Sequence, residues 1–179
     1  MLEKRKDFGV YVALIAVLVM ILALFLPYAA ATPAFRQVME TEADQNVMLG
    51  DSDISMLSTL RVSMVEFIRI YSVLGGSSLA GSCVMMVVGM GLMALLAALA
   101  AWKRKPVLAL VLDFLAFIVF VVHNQDYKMR GVIPSAQYRW GLAYYLFFSA
   151  AVMLAVGAVW IRQEKKREEA EAQAKLREE

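Results

Sequence analysis

The feature that most limits the fold of this chain is an apolar run from Leu79 to Ala101 that contains no charged residue. As an α-helix rising about 1.5 Å per residue, such a run can cross the roughly 30 Å hydrocarbon core of a bilayer. Hydrophobic residues make up 61% of the 179 residues, above the roughly 45–50% that is usual in soluble domains. The sequence therefore predicts an all-α membrane protein, a bundle of four transmembrane helices over about 8–31, 79–101, 107–123 and 140–161.

The first apolar run allows a second interpretation. Basic residues at 4–6, an apolar core and the alanines at 29–31 are also typical of a secretory signal peptide with an A-x-A cleavage site. The run is longer than the usual signal-peptide core of about 7–15 residues, so we expect an uncleaved first helix. Pro27 and Pro33 mark its outer end, because proline cannot continue a helix.

Residues 32–78, between the first two predicted spans, include the longest patterned stretch that a membrane does not explain. A helix over 53–74 would present an apolar face formed by Leu57, Leu60, Met64, Phe67 and Tyr71. Short polar residues at 51–53 suit the start of that helix, although alternating apolar and polar residues over 60–64 leave a strand open. We expect an extracytoplasmic amphipathic helix that either seals the outer end of the bundle or docks a partner.

The positions of Lys and Arg predict the orientation of the spans. Two thirds of the 18 basic residues lie at 4–6, in the loop 103–105 and in the tail 162–179, and cytoplasmic segments are enriched in such residues. We therefore predict a multi-pass protein of the plasma (inner) membrane with both termini cytoplasmic and with 32–78 and 124–138 outside. Oppositely charged pairs at i,i+4 favour a helical tail that extends the fourth span into water.

Asp113 is the carboxylate that lies well inside a predicted span, where an unpaired charge is costly. It lies at a depth close to that of Tyr11 and within reach of a long side chain such as Arg104 or Arg162. One interpretation is an intramembrane polar lock between helices, formed by Asp113, Tyr11 and Arg104. The other is a proton or cation pathway through the bilayer.

His123 ends the third predicted span and faces outside. Imidazole titrates near neutral pH, so His123 is either a pH-sensitive group or an interfacial side chain hydrogen-bonded to loop backbone. Cys83, the single cysteine, lies in an apolar run, which predicts a buried thiol. One histidine and one cysteine provide no ligand spacing for a zinc or haem site. We expect no metal, no cofactor and no nucleic-acid partner.

The segment Phe25-Leu26-Pro27-Tyr28 resembles the end of the first helix in many small uncharacterised bacterial four-helix membrane proteins. Their layout is similar, with small polar and aliphatic residues before the second helix, as at 62–66, and a short basic loop. That resemblance implies a topology and no known activity. The long first and shorter second outer loops are also similar to those of claudin-like tetraspan proteins. Those proteins carry a Trp and a cysteine pair in the first outer segment, and residues 32–78 contain neither.

The motifs of common catalytic sites are missing from this sequence. No Ser-His-Asp set, Walker loop or carboxylate pair can be assembled from it, so we expect a protein that is not an enzyme. The outer amphipathic stretch favours action through contacts in the bilayer, as a small subunit or scaffold of a membrane complex, with a membrane-protein partner or further copies of itself. The alternative is a small transporter or channel whose pathway includes Asp113.

Overall fold

The computed structural model describes residues 7–42, 56–74 and 76–178. The helices in these ranges are α1 (Phe8–Ala23), α2 (Pro33–Glu42), α3 (Met64–Leu74), α4 (Gly76–Trp102), α5 (Pro106–Met129) and α6 (Leu142–Glu178). A short 3-10 helix covers Met56–Leu60. The strands are β1 (Pro27–Ala31), β2 (Arg61–Ser63) and β3 (Tyr138–Trp140).

Four of the helices, α1, α4, α5 and α6, form a bundle. α1 packs most extensively against α6, and α4 packs most extensively against α5. Small side chains let the helices approach closely, and the fully buried alanines of the bundle include Ala13, Ala16, Ala94, Ala97, Ala109, Ala116, Ala150 and Ala158. α4, α5 and α6 are long and apolar enough to cross a membrane, whereas α1 is a shorter apolar helix. The chain is thus predominantly helical, with three helices of spanning length among the described residues.

The helix ends differ from the predicted spans. The first helix, expected over about 8–31, ends at Ala23, and residues 27–31 form a strand instead. Pro27 explains the change, because proline has no amide donor for a helix and is tolerated as the first residue of a strand. The third helix, expected over 107–123, continues to Met129. α6 continues to Glu178 and so includes the charged residues that follow the fourth predicted span.

A three-stranded antiparallel sheet closes one end of the bundle, which we call the sheet end. Its strand order is β2-β1-β3, so the strand that follows α1 is central. Gly141 lies where β3 meets α6, and its N–H donates to the Tyr28 carbonyl at 2.7 Å. The opposite end, where residues 103–105 join α4 to α5, is called the loop end. α1 starts at the loop end, because Asp7 forms an ion pair with Arg104 at 3.2 Å.

The single helix predicted over 53–74 is corrected by the structure. Residues 53–55 lie outside the described ranges, and from Met56 the chain forms the 3-10 helix, then β2, then α3. Ser63 is responsible for the late start of α3. Its Oγ accepts a hydrogen bond from Glu66 N–H at 3.1 Å, and its own N–H donates to Glu66 Oε2 at 2.7 Å, a reciprocal capping box. The strand that the alternation left open is therefore present at Arg61–Ser63, where it pairs with β1.

Candidate functional site

The outward face of the sheet carries two arginines in one row. Ala30 in β1 is opposite Arg61 in β2 and also opposite Arg139 in β3. Residues directly opposite each other in an antiparallel pair have side chains on the same face, so the two guanidinium groups flank Ala30. Both arginines are exposed. The neighbouring row, which includes the buried Ala29 and Val62, faces the bundle.

Helix α2 places a third arginine beside this row. Two adjacent clefts, of about 190 and about 410 Å³, share Arg36 and Glu40 in their walls, and the first includes Arg139 whereas the second includes Arg61. We call these three arginines and Glu40 the arginine groove. The ion pairs found in the described part of the chain involve none of the three arginines. Guanidinium groups bind carboxylate or phosphate through parallel hydrogen bonds, so the groove is suited to an anion.

Local hydrogen bonds hold α2 against the sheet. Thr32 Oγ1 accepts a hydrogen bond from Phe35 N–H at 3.4 Å, which makes Thr32 the N-cap and Pro33 the first helical residue. Thr32 also donates from its N–H and its Oγ1 to the carbonyls of residues 137 and 136, each at 2.8 Å. Those residues directly precede β3, which carries Arg139. The groove is therefore built on elements that are fastened to one another.

A buried cluster of aromatic and polar side chains lies beneath the sheet. The Tyr28 hydroxyl donates to Asn124 Oδ1, and the Cys83 thiol lies 3.6 Å from the Tyr127 hydroxyl. The predicted burial of Cys83 is confirmed. The His123 ring is fully buried, 4.6 Å from the Tyr127 ring, and neither of its nitrogens has a hydrogen-bond partner among the described residues. Burial raises the pKa of Tyr28 above its ordinary value, so this hydroxyl keeps its proton and remains a donor.

This position of His123 corrects its expected environment. The sequence placed it at the membrane interface with hydrogen bonds to loop backbone, but α5 continues beyond it to Met129. Phe120, His123 and Tyr127 recur at helical spacing on the inward face of α5, and all three are buried. The expected bond to a loop is thus not formed within the described residues. The pH sensitivity of His123 stays a prediction.

Asp113 also lies on the inward face of α5, with a relative exposure of 5%. Its Oδ1 has no hydrogen-bond partner among the residues that the structure describes. The predicted lock is not assembled there. Tyr11 is 58% exposed on the outer side of α1, and Arg104 contacts two carboxylates nearer to the loop, Asp7 at 3.2 Å and Glu168 at 3.1 Å. These carboxylates hold the guanidinium group at the loop end.

The apolar face predicted for the outer segment packs inward wherever its side chains are described. Met64 and Phe67 are buried in the hydrophobic core, and the Tyr71 ring stacks on the Phe67 ring at 5.8 Å. Leu60 is half-buried, and the side chain of Leu57 lies outside the described residues. These contacts pack α3 against the core of the bundle. The side chains that define the arginine groove at the sheet end are charged.

Sequence reasoning missed the arginine groove. Arg36, Arg61 and Arg139 are far apart in the chain and meet only through strand pairing and through the anchoring of α2. One signal was available, because Arg36 and Arg61 lie in a segment predicted to be outside, and Arg139 lies at the outer end of the fourth predicted span. Basic residues are normally depleted on that side of the membrane. Such residues are candidates for a recognition role.

The comparisons with known proteins leave the site to be interpreted from its own geometry. Nothing matches this chain among protein-family models, curated proteins or solved structures. Within the described residues, no group of three or more His, Cys, Asp or Glu side chains is arranged to hold a metal ion. The arginine groove, the buried cluster and Asp113 are the features from which a function can be argued.

Proposed function

We propose that this chain is a non-enzymatic four-helix integral membrane protein, a small subunit or scaffold of a membrane complex. In this proposal both termini are cytoplasmic, the sheet end lies outside the plasma membrane, and the arginine groove contacts an acidic segment of a partner protein or of another copy. The observation that carries the proposal is the row of Arg61 and Arg139 on the sheet, joined by Arg36.

The character of α1 supports a fourth membrane crossing. Its exposed side chains form an apolar stripe at helical spacing, which Phe25 just beyond the helix continues. The stripe within the helix consists of Phe8, Tyr11, Ile15, Leu18 and Leu22. The helix runs from the Asp7–Arg104 ion pair at the loop end to β1 at the sheet end. Its 16 residues span about 24 Å, somewhat less than the hydrocarbon core, and a bilayer accommodates such a mismatch by local thinning.

The charge of the groove supports recognition of an acidic partner. Among the described residues, the walls of the two clefts contain three guanidinium groups and one carboxylate, that of Glu40. Cationic groups held close together repel one another, and an incoming carboxylate relieves that repulsion while accepting charge-assisted hydrogen bonds. Because Met64 and Phe67 are buried in the core, polar contact is what the groove offers to a partner.

Co-purification from membranes in mild detergent tests the proposal. The full chain should retain a partner or a second copy, and the double variant Arg61→Gln/Arg139→Gln should lose it. The matched control is Arg69→Gln/Lys128→Gln, which removes the same charge from exposed residues at the same end but outside the groove. A chain that purifies as a lone monomer, or a complex that survives the groove variant, would contradict the proposal.

A second candidate function is transport, which is favoured by the buried Oδ1 of Asp113, an atom without a hydrogen-bond partner among the described residues. Such a carboxylate inside a span is a common feature of proton and cation pathways. Asp113 lines none of the four clefts described for these residues. Flux into reconstituted vesicles decides the question. Transport that Asp113→Asn abolishes at unchanged abundance would establish this function, and no flux under any ion or pH gradient would exclude it.

A further inference from the structure

The loop end of the bundle has its own cleft, distinct from the arginine groove. It has a volume of about 580 Å³ and lies between the start of α5 and the part of α6 that follows its apolar half. Five cationic residues line it, namely Arg104, Lys105, Arg162, Lys165 and Lys166. Glu169 is the carboxylate that the described part of the chain contributes to its wall.

Four of these five cations form no ion pair among the residues that the structure describes. Arg104 is occupied by Asp7 and Glu168. The ion pairs found among the described residues do not involve the other four, and each of the four is exposed. Cationic groups gathered around one cleft repel one another, so binding of an anion there is favourable.

The opposite wall of the cleft is apolar. Val107, Leu108 and Val111 of α5 line it and are 60%, 46% and 50% exposed. They belong to a helix that is long and apolar enough to cross a membrane, so the cleft continues into the surface that meets lipid. Val111 lies five residues beyond Pro106, which is about 7.5 Å deeper along the helix axis. A soluble anion would gain nothing from this wall, whereas acyl chains would bury it.

The amino end of α5 adds to the positive potential. The first intrahelical hydrogen bond of α5 runs from Ala109 N–H to the Lys105 carbonyl at 3.0 Å. The amide groups of Val107 and Leu108 precede it and remain without an intrahelical acceptor. Free amides at the amino end of a helix favour a phosphate group.

We propose that this cleft binds the phosphate headgroup of an anionic phospholipid. Lys105, Arg162, Lys165 and Lys166 contact the headgroup, and the first acyl carbons lie along Val107, Leu108 and Val111. Basic pockets between transmembrane helices at the cytoplasmic face are suited to anionic headgroups for the same electrostatic reason. This inference needs a membrane-embedded bundle but no partner at the sheet end, so it stands or fails independently of the proposed contact function.

The test compares lipid-dependent stabilisation of three forms of the full chain in zwitterionic detergent micelles. They are the natural sequence, a cleft variant with Arg162→Gln, Lys165→Gln and Lys166→Gln, and a control variant with Arg167→Gln, Lys175→Gln and Arg177→Gln. The control removes equal charge from the same helix outside the cleft. Gln has a helix propensity close to those of Lys and Arg, so all three should fold.

Phosphatidylglycerol should raise the unfolding temperature of the natural chain and of the control by several degrees relative to phosphatidylcholine. The cleft variant should lose most of that shift, and native mass spectrometry should show about a tenfold loss of retained anionic lipid. If the control variant lost as much retained lipid and stabilisation as the cleft variant, the charged tail would attract anionic lipid without a specific site. That result would overturn the proposal. If the triple variant does not fold, Lys166→Gln alone must reduce lipid retention, and an unchanged value would overturn the proposal.

Soluble phosphates show whether the cleft binds the phosphate of a lipid headgroup or a free phosphate. Inorganic phosphate and glycerol phosphate at matched concentration should neither stabilise the chain nor displace phosphatidylglycerol. If these soluble phosphates stabilise the chain as much as the lipid does and also displace the lipid, the apolar wall plays no part in binding. The site is then one for a soluble anion. That result would overturn the lipid assignment.

Discussion

Arg104 has a backbone conformation that usually belongs to glycine. Its φ of 50° is in the left-handed region, which costs a residue with a Cβ about 1–2 kcal/mol. The position is the C′ residue of a Schellman motif that ends α4. Arg104 N–H donates to the Ala101 carbonyl at 2.9 Å, and Lys105 N–H donates to the Ala100 carbonyl at 2.8 Å. An arginine is present there because its side chain joins α1 and α6 to the turn through two ion pairs.

Two substitutions at this position separate strain from charge. Arg104→Gly and Arg104→Ala both lose the ion pairs with Asp7 and Glu168, but alanine alone keeps the left-handed strain. We expect Arg104→Gly to be the more stable variant by about 1 kcal/mol, measured as the free energy of unfolding in detergent. The same pair of substitutions at Lys105, whose φ is −105°, should show no advantage for glycine. Equal stability of the two Arg104 variants would contradict the argument.

Gly141 is required because the backbone of β1 passes directly beside it. A Cβ at this position would lie 2.3 Å from the Pro27 carbonyl oxygen, and the Gly141 N–H is already hydrogen-bonded to the Tyr28 carbonyl. We expect Gly141→Ala to lower the free energy of unfolding by about 3 kcal/mol, at the upper end of overpacking effects. Gly89→Ala is the control, since a Cβ there meets nothing within 4 Å. It should leave stability unchanged or raise it slightly.

Helix α3 starts at its capping box and not at the predicted start near residue 53, so its stability depends on that box. Ser63 and Glu66 satisfy each other's backbone N–H groups at the junction with β2. Ser63→Ala should cost about 1 kcal/mol and increase the amide hydrogen exchange of α3 while leaving that of α4 unchanged. Ser72→Ala is the control within the same helix, because Ser72 is exposed and its Oγ donates to the Ile68 carbonyl of that helix. Exchange rates in α3 that are the same for both variants would show that the cap is dispensable.

An element could be predicted from the sequence where the residues that determine it lie close together in the chain. The long apolar helices follow from composition and length, and α4 and α6 lie close to the predicted spans. The capping box at 63–66 is a four-residue signal that the sequence contains but that the apolar pattern over 53–74 obscured. The sheet could not be predicted, because β1 pairs with residues 61–63 and 138–140, and no local rule selects such distant partners. The arginine groove depends on that pairing and was missed with it.

The bundle carries basic surfaces at both ends, and they should act separately. The arginine groove lies at the sheet end and the basic cleft at the loop end. Helix α5 connects these ends with 24 residues, or about 36 Å, which exceeds the roughly 8 Å over which exposed charges interact at physiological salt. Substitutions in the groove should therefore leave the lipid-dependent stabilisation of the cleft unchanged.

The number of membrane crossings determines on which side each end lies. If α1 crosses together with α4, α5 and α6, Asp7 lies on the same side as the distal part of α6, and α2 lies on the opposite side. If only the three longer helices cross, Asp7 lies on the same side as α2. Single cysteines introduced at Asp7, Gln37 and Gln173, all exposed positions, distinguish these topologies in a Cys83→Ser background, which preserves a polar group beside Tyr127.

We expect a membrane-impermeant maleimide to label Gln37→Cys in intact cells, and to label Asp7→Cys and Gln173→Cys only after permeabilisation. The physical reason for this topology is the apolar stripe that runs along α1 from Phe8 to Phe25. Without a bilayer around α1, that stripe would face water along the whole helix. The unsubstituted chain is the control, since its thiol is buried and should stay unlabelled until denatured. Labelling of Asp7→Cys together with Gln37→Cys in intact cells would exclude the fourth crossing. In the structure α1 runs along α6 from the loop end to the sheet end, so that result would also require the Asp7–Arg104 ion pair to be broken in the cell.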